Sequence, residues 1–80
     1  MRVRVLLFAG WRDRLGEEEI LLDGLPSDAT VASARARLEE RCPALRGLTV
    51  AVAVNLVQVP FDRPLREGDE VAFLPPVSGG

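Results

Sequence analysis

One stretch of this chain carries the period of a helix, and it lies between segments that carry the period of a strand. Val31, Ala34, Leu38 and Cys42 recur at steps of three, four and four, which puts them on one apolar stripe. Thr30 suits the N-cap, where its hydroxyl can meet an unpaired N–H of the first turn. Arg35 and Glu39 sit one turn apart on the outer side and can pair for about 0.2–0.5 kcal/mol. Pro43 disfavours helical geometry at Cys42, so the helix should stop there. A helix with one apolar stripe must cover something, and the flanking segments supply it.

Residues 2–9 read as a first strand, β-branched at Val3 and Val5. Val3, Val5 and Leu7 should face the core, while Arg2, Arg4, Leu6 and Phe8 share the opposite face. Residues 10–16 read as a loop with room for one helical turn. Residues 19–22 form a second strand, closed by the turn residues Asp23 and Gly24. In residues 50–54 valine and alanine alternate strictly, so the valines fill one face and the alanines leave the other flat. Residues 57–59 are a short edge strand ended by Pro60. A turn at residues 66–69 leads into the last strand, residues 70–74, with Val71 and Phe73 inward. Two strands, one helix across a sheet, and three more strands make an α+β domain.

Composition narrows the function. Apolar residues make up 48% of the chain, so a packed core is expected and disorder is not. The net charge is −2 and no basic stripe occurs, so no nucleic-acid partner is expected. No stretch is apolar enough for a bilayer, and no charged-then-apolar leader opens the chain, which points to a cytoplasmic protein with no membrane partner. Cys42 is the single cysteine, so no internal disulfide is expected. Histidine is absent, which removes the commonest general base and metal ligand. Lysine is absent as well: all ten basic residues are arginine. The chain offers no side-chain amine, so in any linkage to another protein it acts as acyl donor, apart from its α-amine.

The division expected is a body, residues 1–74, and an extended tail, residues 75–80: Pro75-Pro76-Val77-Ser78-Gly79-Gly80. Two glycines, lacking Cβ, can enter a slot too narrow for any other residue. The diproline stiffens the approach and limits the conformations lost on docking. Residues 77–80, if extended, span about 13–14 Å, enough to reach a buried pocket in a partner. The carboxylate at the tip is what an ATP-using partner can make reactive. Ser78 reads as a spacer, with no base near it in sequence.

Several motifs carry a resemblance. The segments Val52-Ala53-Val54-Asn55, Phe61-Asp62-Arg63-Pro64-Leu65, Val5-Leu6-Leu7-Phe8-Ala9 and above all Gly68-Asp69-Glu70-Val71 followed by Pro-Pro-Val-Ser-Gly-Gly are similar to the small subunits of molybdopterin synthase, the MoaD family, whose fold is the ubiquitin-like β-grasp. The resemblance implies that the sheet is mixed, with the one main helix packed across it. After Asn55 that family often carries a glycine or polar residue, where this chain has Leu56 and Val57. The resemblance implies that a MoeB-like enzyme uses ATP to adenylate Gly80, and that sulfur then converts it to a thiocarboxylate. A MoaE-like large subunit, in an expected heterotetramer, would take in the tail, including Gly79. Sulfur would pass to a cyclic pyranopterin phosphate. The chain itself would bind no cofactor or metal and would be the non-catalytic, sulfur-carrying part of a transferase. Sulfur delivery to tRNA or thiamine, conjugation to protein lysines through Gly80, and an inert binding module are the alternatives.

In the body, Phe8 and Leu74 are the candidate docking residues, outward on neighbouring strands, as the resemblance also implies. Pro75, Pro76, Val77 and Ser78 join them, with Gln58 on the rim. Cys42 is expected to be a buried structural thiol, and residues 17–19, three glutamates, a solvated charge run. Arg12 and Arg14 read as ordinary loop charge. Trp11 reads either as a partner anchor or as a lid on the core.

Overall fold

The computed structural model describes residues 1–75. Five strands form one mixed sheet: β1 (Val3–Leu7), β2 (Glu19–Leu22), β3 (Ala51–Val54), β4 (Val57–Gln58) and β5 (Glu70–Leu74), in the order β2-β1-β5-β3-β4. β1 pairs antiparallel with β2 and parallel with β5, while β3 is antiparallel to both β4 and β5. The last strand therefore runs up the middle of the sheet beside the first. This is the ubiquitin-like β-grasp arrangement.

The main helix, α2 (Val31–Arg41), lies on one face. Its Val31, Ala34 and Leu38 join Val3, Val5, Leu7, Ile20, Leu22, Val52, Val54, Val71 and Phe73 in a single core. The alternation of the strands and the period of the helix thus meet on the same residues. At the helix start, the Thr30 N–H donates to the Ser33 hydroxyl at 3.0 Å, and the Ser33 N–H donates to the Thr30 carbonyl at 2.9 Å. The reciprocal bond to Ser33 is what the sequence reading lacked. Cys42 caps the far end with an extended backbone, φ −143° and ψ 90°, as Pro43 requires. Its side chain is half-buried against the core, not fully buried as expected. The C-cap position turns it away from the stripe that Val31 begins.

Two elements differ from the sequence reading. Residues 9–15 form a helix, α1 (Ala9–Leu15), where a loop with one turn was expected, and Pro43–Gly47 form a short 3-10 turn. Trp11 drives the first. It is 2% exposed and stacks on Phe73, ring centroids 4.9 Å apart and planes 18° from parallel. An aromatic of this size brings enough apolar surface to fold the segment around it. The backbone makes the turn at Ala9, whose φ is +49°, so Phe8 is left outside while Trp11 goes in. Trp11 is therefore a core residue. Its indole N–H is buried without an acceptor among the described residues.

Arg35 closes this corner. It pairs with Glu39 at 3.3 Å, as the spacing predicted, and also donates to the Leu48 carbonyl at 3.1 Å. Its guanidinium lies 5.7 Å from the Trp11 ring and 5.2 Å from the Phe61 ring, a double cation–π contact that sequence spacing does not reveal.

Candidate functional site

Among the described residues no helix covers the opposite face of the sheet, and strand register assigns the residues of that face. A single row crosses all five strands: Glu19, Leu6, Ala72, Ala53 and Gln58 are successive partners from β2 to β4. One step toward the tail, Leu74 stands opposite Ala51, and Phe8 continues the line of β1. One step the other way, Arg4 stands between Leu21 and Glu70 and is ion-paired to the Glu70 carboxylate. The face is thus graded. It is charged where β5 begins and apolar where β5 ends. Alanines 51, 53 and 72 keep its middle flat; Ala53 is only 8% exposed between its neighbours. A flat apolar floor with a charged border suits a protein partner.

Phe8 is the tallest feature of the apolar end, 39% exposed. It forms a wall shared by two clefts. One, of about 300 Å³, is lined by Leu6, Leu7, Phe8, Arg12, Glu18 and Glu19. The other, of about 130 Å³, lies between Phe8, Gly10, Trp11, Leu48, Val50 and Pro75. Pro75 is where the tail begins, so the tail root and Phe8 border the same cleft. Leu74, half-buried, is the residue before it. The structure therefore brings Phe8, Leu74 and Pro75 together, and Gln58 lies at the β4 edge of the same face. Pro76, Val77, Ser78, Gly79 and Gly80 lie outside the described residues.

A polar clamp at the other end holds this face in register. Asp69 is 6% exposed. Its carboxylate accepts from the Asn55 amide at 3.0 Å, the Arg63 guanidinium at 2.8 Å and the Arg66 N–H at 2.8 Å. The Asn55 side-chain carbonyl accepts from the Glu70 N–H at 3.0 Å, and the Asn55 N–H donates to the Glu70 carbonyl at 2.8 Å. Asn55 sits in the β3–β4 hairpin, so the clamp ties that hairpin to the start of β5. Burial pushes the Asp69 carboxyl up, but the Arg66 N–H, the Asn55 amide and the Arg63 guanidinium together outweigh it and hold it below the usual carboxylate range. The hairpin is a two-residue turn with φ +51° at Asn55 and +72° at Leu56. Leucine there occupies a left-handed position that favours glycine, with its side chain 90% exposed.

Residues 5–80 match the ThiS family. The chain belongs to the ThiS family. It is 39% identical to the molybdopterin synthase sulfur carrier subunit of Escherichia coli (strain K12), over 98% of this chain and 99% of that protein. Among solved structures, SAMP1 from Haloferax volcanii superposes with a TM-score of 0.84 at 30% identity, over the whole of both chains. A complex of subunits 1 and 2 of the molybdopterin-converting factor from Helicobacter pylori superposes with a TM-score of 0.68, also at 30% identity and over the whole of both chains.

Within this ThiS-family chain, the remaining candidates fall into place as structure. Residues 17–19 are exposed glutamates; the Glu18 carbonyl accepts from the Leu7 N–H at 2.8 Å, so the run begins the β1–β2 pairing. Arg12 and Arg14 are exposed on α1. Among the described residues no helix is long and apolar enough to cross a membrane. The Asp69–Asn55–Arg63 clamp and the second cleft at Pro75 were missed by the sequence reading. Asp69 and Asn55 lie 14 residues apart, and nothing in their local spacing joins them.

Proposed function

We propose that this ThiS-family protein is the sulfur-carrying small subunit of a molybdopterin synthase. The observation that carries the reading is the end-to-end likeness to the E. coli sulfur carrier subunit, which leaves no further domain of that relative unaccounted for. The geometry supports it. β5 ends at the apolar edge of an uncovered face, and Pro75, the residue before the segment 76–80, borders the same cleft as Phe8, where a partner would dock. The alternative acceptors and the protein-modifier role are not favoured, because that relative is named for molybdopterin synthase.

In this reading the reacting group belongs to the main chain. A carboxylate is a poor acyl donor, being anionic with no leaving group. A MoeB-like enzyme uses ATP to join AMP to the Gly80 carboxylate, releasing pyrophosphate. Sulfur then attacks the acyl carbon, AMP leaves, and a thiocarboxylate forms. Its sulfur is a good nucleophile tethered to a protein. A MoaE-like large subunit, assembled with this chain as a heterotetramer, takes in Gly79 and Gly80, and two rounds of transfer to a cyclic pyranopterin phosphate build a dithiolene. Pro75, Pro76, Val77 and Ser78 span the approach. Phe8 and Leu74 anchor the body on both partners, each contributing about 1.5–3 kcal/mol when fully covered, with Gln58 on the rim. The chain binds no cofactor of its own and works in the cytoplasm. Histidine is absent from the sequence, which suits a carrier whose partners supply bases and oxyanion stabilisation.

Intact mass after incubation with a MoeB-like enzyme, ATP and a sulfur donor tests the reading. The expected product is heavier by one sulfur less one oxygen. Addition of a MoaE-like subunit and the pterin precursor should return the original mass. Deleting Gly80 should abolish both changes and leave thermal unfolding unaltered. An unchanged transfer rate after that deletion would sink the mechanism.

A further inference from the structure

Among the described residues, one buried side-chain nitrogen or oxygen makes no hydrogen bond: the indole Nε1 of Trp11. A buried donor left unpaired is destabilising, so a fold that keeps one calls for a reason. The ring is held in place. It stacks on Phe73 with centroids 4.9 Å apart, and the Arg35 guanidinium lies over it, 5.7 Å from its centroid. Trp11 lines the cleft of about 130 Å³ between Phe8 and Pro75. Two carbonyls of residues that line the same cleft are engaged elsewhere. Leu48 accepts from Arg35 at 3.1 Å, and Gly10 accepts from Arg14 at 3.3 Å.

The cleft is roomy and dry in character. A water needs about 10–15 Å³ of cavity, so this space takes a group of several atoms. Water itself is a poor occupant, because it needs about two to four polar partners. The walls offer few: Phe8, Leu48, Val50 and Pro75 surround the one buried indole donor, with the exposed Thr49 as the other polar side chain. What suits such walls is an apolar group that carries a single acceptor. A main-chain carbonyl beside a proline or aliphatic side chain has that chemistry. Phe8 belongs both to this cleft and to the apolar end of the open face, so the cleft is continuous with the candidate docking surface.

Resting on the reading that a large subunit docks on the open face, we propose that Trp11 is a binding residue as well as a core residue. Its indole N–H is a vacant donor that a main-chain carbonyl of the large subunit fills on docking, with the adjoining proline or aliphatic side chain seated in the cleft. Arg35 holds the donor and one wall of the cleft together, since it touches Trp11, Phe61 and the Leu48 carbonyl at once. The free protein carries an unpaired donor, and the complex pairs it. That difference favours association, because the penalty is relieved only when the partner is bound.

Trp11 is the only tryptophan of the chain, so expression in a tryptophan-requiring host places a label or an analogue at this position alone. In the free full chain with an isotope-labelled indole, the N–H proton should resonate upfield of a hydrogen-bonded indole and move downfield when a MoaE-like subunit is added. A signal already at the bonded position in the free protein would show that water or the chain itself fills the cleft, and would overturn the inference. Benzothienylalanine in place of the tryptophan keeps the ring shape and puts sulfur where the N–H stood. Its affinity for the MoaE-like subunit, by titration calorimetry, should fall about tenfold, which is about 1.4 kcal/mol. Its thermal unfolding should stay level or rise, since an unpaired buried donor has gone. Equal affinity of the native and substituted chains would mean that the indole serves packing alone, and would overturn the inference with the partner reading intact. No binding by the native chain would overturn the partner reading and this inference with it.

Discussion

The two faces of the sheet use the same strands to opposite ends. On the covered face, Val3, Val5, Leu7, Val71 and Phe73 meet α2 and are almost wholly shielded from water. On the open face, Leu6, Ala51, Ala72 and Leu74 are left half-covered, with no layer above them among the described residues. The covered face is built of large side chains, because a core gains stability from area and close packing. The open face has alanines at its centre and larger groups at one edge, the flatness and the anchor that the proposed docking floor would need. The lesson is that a β-grasp of 80 residues can build its core on one face of the sheet and leave the other free of that burden.

Substitutions on the two faces should therefore separate stability from affinity. Phe73→Ala removes the ring stacked under Trp11 and should cost about 3–5 kcal/mol, read by denaturant or thermal unfolding. A small loss there would mean that the stacked pair is not the keystone of the core. Leu74→Arg, one residue on but facing outward, should weaken binding to a MoaE-like subunit by about tenfold or more, which is about 1.4 kcal/mol, while unfolding changes by less than that. An unchanged affinity would break the assignment of the open face.

The Asp69 clamp tests the border of the comparison, since it pins the hairpin that carries Gln58 and the edge of the open face. Asp69→Asn should destabilise by about 1–3 kcal/mol at neutral pH, because Arg63 loses its charged partner. The sign with pH follows from the lowered carboxyl. A group whose folded pKa is depressed adds stability above its unfolded value, near 4, and that share is lost as pH falls through the folded value. The native and Asp69→Asn proteins should therefore converge in stability on acidification below about pH 4. A gap that stays constant with pH would show that the carboxylate's charge is not what stabilises the clamp. The smallest effect is expected at the hairpin tip. Leu56→Gly relieves a left-handed backbone and loses no packing, so it should stabilise by about 0.5–1 kcal/mol. Destabilisation would show that the exposed leucine contributes contacts to the fold.

Much of this was legible in the chain because it is periodic. Period-two alternation placed Val3, Val5, Leu7, Val71 and Phe73 inward, and period 3.6 placed Val31, Ala34 and Leu38 against them. Those are local patterns, repeated within a few residues. α1 was not legible as a full helix, because Trp11 and Leu15 are its two inward apolar side chains and the glycine at position 10 reads as a loop. The Arg35 stack was read as a surface pair with Glu39, since spacing shows the i, i+4 neighbour and hides the two aromatic rings brought from α1 and from Phe61.

The sequence by itself determined the fold class, the faces of the strands, the single cysteine, and the absence of lysine and histidine, since these follow from counting and from local periodicity. The first and last strands are expected as neighbours, but only the tertiary structure decided that they run the same way and in which register. That pairing spans 66 residues of chain in its register, Arg4 against Glu70, and no local signal encodes it. From it follow the cleft that Phe8 shares with Pro75, the tail root at one end of the sheet and the amino group at the other. Their separation is a consequence of strand direction, a property that appears only once distant segments have chosen each other as hydrogen-bond partners.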